Sequence, residues 1–190
     1  MRSLAASLLL CAFAVPAIAQ GLAPDERIAT ELLDIRAPSS VGWQLTAKTA
    51  ARIALARPGS SPNETFAAFA IVFRLQPPRD RNHFMELIRK AVEADTSPNR
   101  FRELNSEFQH EESRGYPCIR YTGLHKDLQA KLQTGATGTL TTQTQTLYCI
   151  HPAEKGAAFA VGYSHRGQNL QPDFENEANQ FIGSSHVRAR

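Results

Sequence analysis

The sequence predicts a single α+β domain: a mainly antiparallel β-sheet with helices packed on it, and one disulfide. Three observations lead there. Tyr116-Pro117-Cys118-Ile119-Arg120-Tyr121-Thr122 and Thr144-Gln145-Thr146-Leu147-Tyr148-Cys149-Ile150 are rich in the β-branched and aromatic residues that strands favour, and each carries one cysteine. Between residues 80 and 94 apolar side chains recur at helical spacing. A second such stripe, Phe174, Ala178, Phe181 and Ile182, closes the chain.

Residues 1–19 read as a secretory signal peptide. Arg2 precedes an apolar run, and Ala17-Ile18-Ala19 supplies small residues for cleavage before Gln20. The run is shorter than the roughly 20 residues a spanning helix needs. Lipid attachment through Cys11 is an alternative, although the residue before it is Leu10, where a small one is normal. Residues 20–190 then remain as one domain, large enough to bury a core, with no later stretch apolar enough to span a bilayer. Loss of Arg2 lowers the formal charge from +3 to +2. That balance is too small to select nucleic acid or an anionic membrane as partner. The mature chain is expected to be periplasmic or secreted.

Cys118 and Cys149 are the cysteines left after cleavage, and in an exported chain they most simply pair. Two buried free thiols are the alternative. A bond closing that loop is worth about 3–4 kcal/mol in the chain-entropy model. Neither cysteine lies in a C-x-x-C motif, so a redox role has no support.

The elements follow in order. Pro24-Asp25-Glu26 ahead of Ile28, Leu32 and Leu33 suggests a short helix, since proline and acids suit a first turn; residues 20–40 could equally be a loosely docked arm. Residues 41–48 alternate, with Trp43, Leu45 and Ala47 on one face; residues 51–55 alternate too, with helix as a competitor. Arg57-Pro58-Gly59-Ser60-Ser61-Pro62-Asn63 is a turn, and Asn63-Glu64-Thr65 matches a glycosylation sequon. From Thr65 runs the most apolar strand, with Phe69, Ile71 and Phe73 on one side and Ala68, Ala70 and Val72 on the other, which places it centrally. Pro77-Pro78 ends it.

The helix over 80–94 buries Phe84, Leu87, Ile88, Ala91 and Val92, capped by Asp80 or Asn82, with Glu86 and Lys90 as an i,i+4 pair. Residues 104–112 alternate, and Arg114-Gly115 turns the chain into the first cysteine strand. Residues 125–132 fit one or two helical turns. The Thr/Gln-rich stretch over 139–150 is polar on both faces at first, as an edge strand would be. The strand over 157–164 sets Phe159, Val161 and Tyr163 against an unusually small face of Ala158, Ala160 and Gly162, over which a helix or an apolar ligand would fit. After the closing helix, residues 184–190 read as a tail.

The sequence holds no H-E-x-x-H, G-x-S-x-G, Walker, G-x-G-x-x-G or EF-hand motif, so no catalytic residue, metal or cofactor is assigned. Its six histidines are dispersed. A two-residue turn at Arg114-Gly115 sets His110 opposite Ile119 and Glu111 opposite Cys118, on the other face from His110. His151 shares the face of Cys149, so the best candidate metal group, His110 with Glu111, Glu112, His125 and His151, would be split by the sheet, His110 and His151 lying on opposite faces. The same register flanks Arg120 with Glu107 and Glu111, as a cross-strand charge network. One basic concentration stands out. Arg79, Arg81, Arg89 and Lys90 are either a solvated helix face or a docking face for an acidic partner or lipid headgroups. No aromatics interleave with them as a single-strand nucleic-acid platform requires.

The strand Phe69-Ala70-Ile71-Val72-Phe73, the helix Phe84-Met85-Glu86-Leu87-Ile88 and the closing helix over 174–182 occur in an order that resembles the PsbP-like extrinsic proteins of photosystems and their bacterial exported relatives. The resemblance implies a mostly non-catalytic module that docks on other proteins. It does not imply the Cys118–Cys149 pair. The expected function is therefore an exported binding or accessory protein of the bacterial-type envelope that docks on a protein partner. A small hydrolase or metal-dependent enzyme, and a carrier of a small apolar ligand lining Ala158, Ala160 and Gly162, are the alternatives.

Overall fold

The computed structural model describes residues 20–188. The expected signal peptide and Cys11 lie outside the described residues. In chain order the elements are β1 (Gln20–Gly21), β2 (Arg27–Ala29), β3 (Leu33–Arg36), β4 (Gln44–Lys48), β5 (Arg52–Pro58), β6 (Thr65–Arg74), α1 (Arg81–Asp95), β7 (Phe101–Glu111), β8 (Cys118–Lys131), β9 (Thr137–Ile150), β10 (Ala157–Gly167), α2 (Phe174–Gly183) and β11 (His186–Val187). Among the described residues, eight strands form an antiparallel sheet in the order β1-β4-β5-β6-β10-β9-β8-β7, and β11-β3-β2 form a smaller one. The α+β class, the mainly antiparallel sheet and the disulfide all hold.

The register sorts the side chains into two faces. Val72, Phe159, Cys149, Cys118 and Glu111 form one row across five strands, and Ile71, Ala160, Tyr148, Ile119 and His110 form a neighbouring row on the opposite face. The first face carries the larger core. Trp43, Ile53, Leu55, Phe66, Val161 and Tyr163 pack there under Phe174, Phe181 and Ile182 of α2 and under Ile28, Leu33 and Ile35 of the small sheet. Two of the polar side chains inside it are tied by hydrogen bonds: Trp43 Nε1 donates to Ser40 Oγ at 3.0 Å, and the Tyr163 hydroxyl donates to Glu177 Oε2 at 2.6 Å. The second face carries α1, whose Phe84, Ile88 and Val92 pack on Ile119 and Tyr121 with Phe108, Tyr148 and Ile150 around them. Each of these α1 side chains contributes about 1.5–3 kcal/mol by leaving water. Asp80 caps the helix by accepting from the His83 N–H at 2.8 Å. Leu87 is only half-buried and Ala91 is exposed, so the stripe is narrower than its spacing suggests.

Four expectations change. Residues 20–40 are neither a helix nor a loose arm. Pro24-Asp25-Glu26 makes a turn in which Glu26 Oε2 accepts from the Ala23 N–H, and Thr30 closes a hairpin by bonding Leu33 through backbone and hydroxyl. Ile28 and Ile35 then sit opposite each other and are buried in the core. Residues 184–188 are docked: β11 pairs with β3, and the Arg188 N–H donates to Leu32 O at 2.9 Å. Residues 125–131 continue β8 as strand. The Thr/Gln-rich stretch is interior, with Gln145 bonded to Asn179 of α2, Gln143 to His165 and Gln171, and Thr141 to Lys126; the edge on this side of the sheet is β7.

Candidate functional site

The four basic residues singled out in the sequence are exposed, and the fold separates them. Arg81 and Arg89 lie on the side of α1 toward β7. Arg81 pairs with Glu112, just beyond the end of β7, and the Arg89 guanidinium carbon stands 4.6 Å from the Phe108 ring centre. Met85, one turn from each, shares that side and is half-buried. Lys90 pairs with Glu86 at 2.7 Å, holding the Glu86 carboxyl below its usual range. The Arg79 N–H donates to His83 Nδ1 at 3.1 Å.

Alongside this row runs a free sheet edge. Cys118 and Cys149 face each other with Cα atoms 4.1 Å apart and are joined by the disulfide. That spacing belongs to a pair without mutual backbone hydrogen bonds, so the N–H and C=O of Cys118 point toward β7. Glu111, opposite Cys118, points back, as do Gln109 and Glu107 at the period of two. The backbone groups of Ser106, Phe108 and His110 therefore point out of the sheet. A bulge between Glu103 and Asn105 ends this stretch, and Leu104 there is 48% exposed.

On the opposite face, α2 and strands β7 to β9 enclose a polar groove of about 690 Å³, lined among others by Glu107, Gln109, Arg120, Gln145 and Asn179. Arg120 donates from Nε and Nη2 to Glu111 Oε2 at 3.2 and 3.0 Å, and from Nη1 to Asn179 Oδ1 at 3.1 Å. Gln145 Nε2 donates to the same Asn179 oxygen at 2.7 Å. Hydrogen bonds from Ser113 and then Arg120 hold the Glu111 carboxyl down to about 2. The expected pairing of Arg120 with Glu111 is present; Glu107 instead accepts from Gln109 at 2.6 Å.

The face of Ala158, Ala160 and Gly162 is buried, and its smallness has a neighbour that uses it. A Cβ at Gly162 would lie 2.4 Å from Phe69 Cε1, so the Phe69 ring of β6 occupies the space above. The histidines do not converge. His110 is exposed on β7; His125 is buried on the α1 face, and burial lowers its pKa. His151 accepts from the Glu154 N–H at 2.9 Å on Nδ1 and faces Leu32 O with Nε2. Among the described residues, no group of three or more His, Cys, Asp or Glu is placed to hold a metal ion.

Two buried polar clusters were not anticipated. Asp127 is held by Arg100 through two bonds of 3.0 and 2.9 Å, with Arg166 at 2.9 Å, and its pKa is lowered chiefly by Arg100. His165 lies 3.0 Å from Glu64 Oε1 and 3.1 Å from Gln143 Oε1, which ties the turn before β6 to β10. The period-two alternation Tyr121, Gly123, His125, Asp127 was the available signal for the first. No local signal existed for the second, whose members are 101 residues apart.

No helix among the described residues is long and apolar enough to cross a membrane. No protein-family model and no curated protein matches the chain. Solved structures similar to it include LpqN of Mycobacterium tuberculosis, described as involved in cell envelope biogenesis, at 15% identity over 82% of each chain with a TM-score of 0.49. They include the Ran-binding protein Mog1p of Saccharomyces cerevisiae, at 10% identity over 83% of this chain and 90% of that one with a TM-score of 0.42. They also include PsbP of the cyanobacterium Synechocystis, from the group whose element order the sequence resembles, at 12% identity over 85% and 95% with a TM-score of 0.38. The likeness is one of fold.

Proposed function

We propose that this chain is an exported, non-catalytic binding or accessory protein of the cell envelope, and that it docks on a protein partner with the side formed by α1 and β7. The observation that carries the reading is the pair of exposed arginines Arg81 and Arg89, with half-buried Met85 between them, beside an edge strand with outward-pointing backbone groups. The groups that could do chemistry support it from the other direction. Glu111 is bound to Arg120, Glu112 to Arg81, His151 to Leu32 and Glu154, and His165 to Glu64, so each acts as a tie in the fold.

The test is chemical cross-linking in native envelope extracts followed by purification of the full chain, with wild type beside Arg81→Glu/Arg89→Glu. The reading expects a discrete protein complex in the wild type that the double variant loses. A retained small ligand with no protein partner, or substrate turnover by the isolated chain, contradicts it.

A further inference from the structure

We infer that the outer edge of β7 accepts an extended segment of the partner as an added strand, and that this segment carries acidic side chains four residues apart with an apolar one between them. The inference rests on the docking reading above and adds its mode and its chemistry.

The backbone supplies the first half. Over 106–110 three N–H and three C=O groups, those of Ser106, Phe108 and His110, point away from β8. Among the described residues no turn, cap or loop bond takes them up. Edges of this length are usually blunted by proline, lysine or a bulge. Here the bulge lies before Asn105, and the stretch that follows has neither proline nor lysine. An added strand would find a ready ladder.

The side chains supply the second half. Ser106, Phe108 and His110 lie on the α1 face, so residues of an added strand opposite them project onto that face too. Above it stands the Arg81-Met85-Arg89 row. Eight residues of helix span about 12 Å, and four residues of strand span about 13 Å. The molecule already uses this match: Arg81 meets Glu112, just past the end of β7, and Arg89 meets Phe108, four residues earlier on the strand. Among the described residues Arg89 forms no ion pair. Acids at i and i+4 of an added strand would meet the two guanidinium groups, and an apolar residue at i+2 would meet Met85. A second copy of this chain does not fit that description, because on its own β7 the acids Glu107 and Glu111 lie on the opposite face.

The probe is the peptide acetyl-Thr-Glu-Thr-Val-Thr-Glu-Thr-amide, titrated against the mature full-length protein. The expected result is one-to-one binding. N-methylation of one alternate set of peptide residues should weaken it by about tenfold or more, and of the other set by less than about twofold. Replacing both Glu by Lys should also weaken it about tenfold or more. Ser106→Pro should abolish binding while leaving the unfolding midpoint close to wild type, because the lost N–H points out of the sheet. Binding that ignores N-methylation and Ser106→Pro but is lost in Arg81→Glu/Arg89→Glu overturns strand addition and leaves docking by the α1 face standing. No binding at millimolar peptide overturns the inference, and binding indifferent to all these changes overturns both readings. Self-association of the chain that Ser106→Pro abolishes replaces the foreign segment with a second copy and overturns it as well.

Discussion

The Arg89 guanidinium lies 4.6 Å from the centre of the Phe108 ring, so helix α1 is clasped to the edge strand by a cation resting on an aromatic face. Arg89 is exposed and Phe108 half-buried. Such a contact at the surface is worth about 0.5–1 kcal/mol, whereas Ile88 on the same helix is 2% exposed and fills the core. Urea unfolding should show Arg89→Ala costing no more than about 1 kcal/mol and Ile88→Ala about 2–5 kcal/mol. The small cost at Arg89 means its replacement is a fair test of docking. A loss above 2 kcal/mol at Arg89 would make it a structural residue.

The disulfide joins directly opposed residues of β8 and β9 and is buried in the larger core. Replacing Cys118 and Cys149 together by alanine should cost about 3–4 kcal/mol in the chain-entropy model, read as a lower urea midpoint with a steeper slope, because the released denatured chain exposes more surface. A lower midpoint with an unchanged slope would mean that the bond acts in the folded sheet and not by compacting the denatured chain.

Glu111 gives stability an acid limb of known sign. Its folded pKa, about 2, is below the unfolded value of 4.5, so its contribution is complete above pH 4.5 and vanishes as pH falls toward 2. Glu111→Gln should be less stable than wild type at pH 7 by about 1–3 kcal/mol, and the two curves should converge near pH 2. Asp34, Glu64 and Asp127, also lowered, leave a residual limb in the variant. Parallel curves from pH 7 to pH 2 would show that Ser113 and Arg120 do not favour the carboxylate.

Gly162 is small because Phe69 needs the room. Gly162→Ala places a methyl group 2.4 Å from one ring carbon of Phe69 and 2.7 Å from Thr146 Oγ1. The expected cost is about 1–3 kcal/mol, and it should shrink in a Phe69→Ala background, as a coupling in a double-mutant cycle. Additive costs would mean that the strain falls on Thr146 alone.

What the sequence could disclose depended on how local the cause was. The helix α1 follows from Phe84, Ile88 and Val92 on one stripe, and the disulfide from two cysteines in a chain whose first residues read as an export signal. The register of Glu111 opposite Cys118 is the one a turn centred on Arg114-Gly115 implies, although the strands are joined by six residues, 112–117, and not by two. Strand order was not local. The polar stretch over 139–150 resembles an edge until Asn179 of α2 is known to meet Gln145. The small face of β10 suggests a chamber until β6 is known to lie beside it with Phe69. Pro24-Asp25-Glu26 serves a helix start or a turn equally, and burial of Ile28 against Ile35 decided for the turn.

The free edge of β7 is measured most directly by amide hydrogen exchange, residue by residue, with and without the Thr-Glu-Thr-Val-Thr-Glu-Thr peptide. In the free protein the amides of Ser106, Phe108 and His110 should exchange fast, between the slow amides of Glu107, Gln109 and Glu111, and the peptide should slow the fast set alone. Uniform protection along β7 in the free protein, or a fast set that the bound peptide leaves unchanged, would contradict the account.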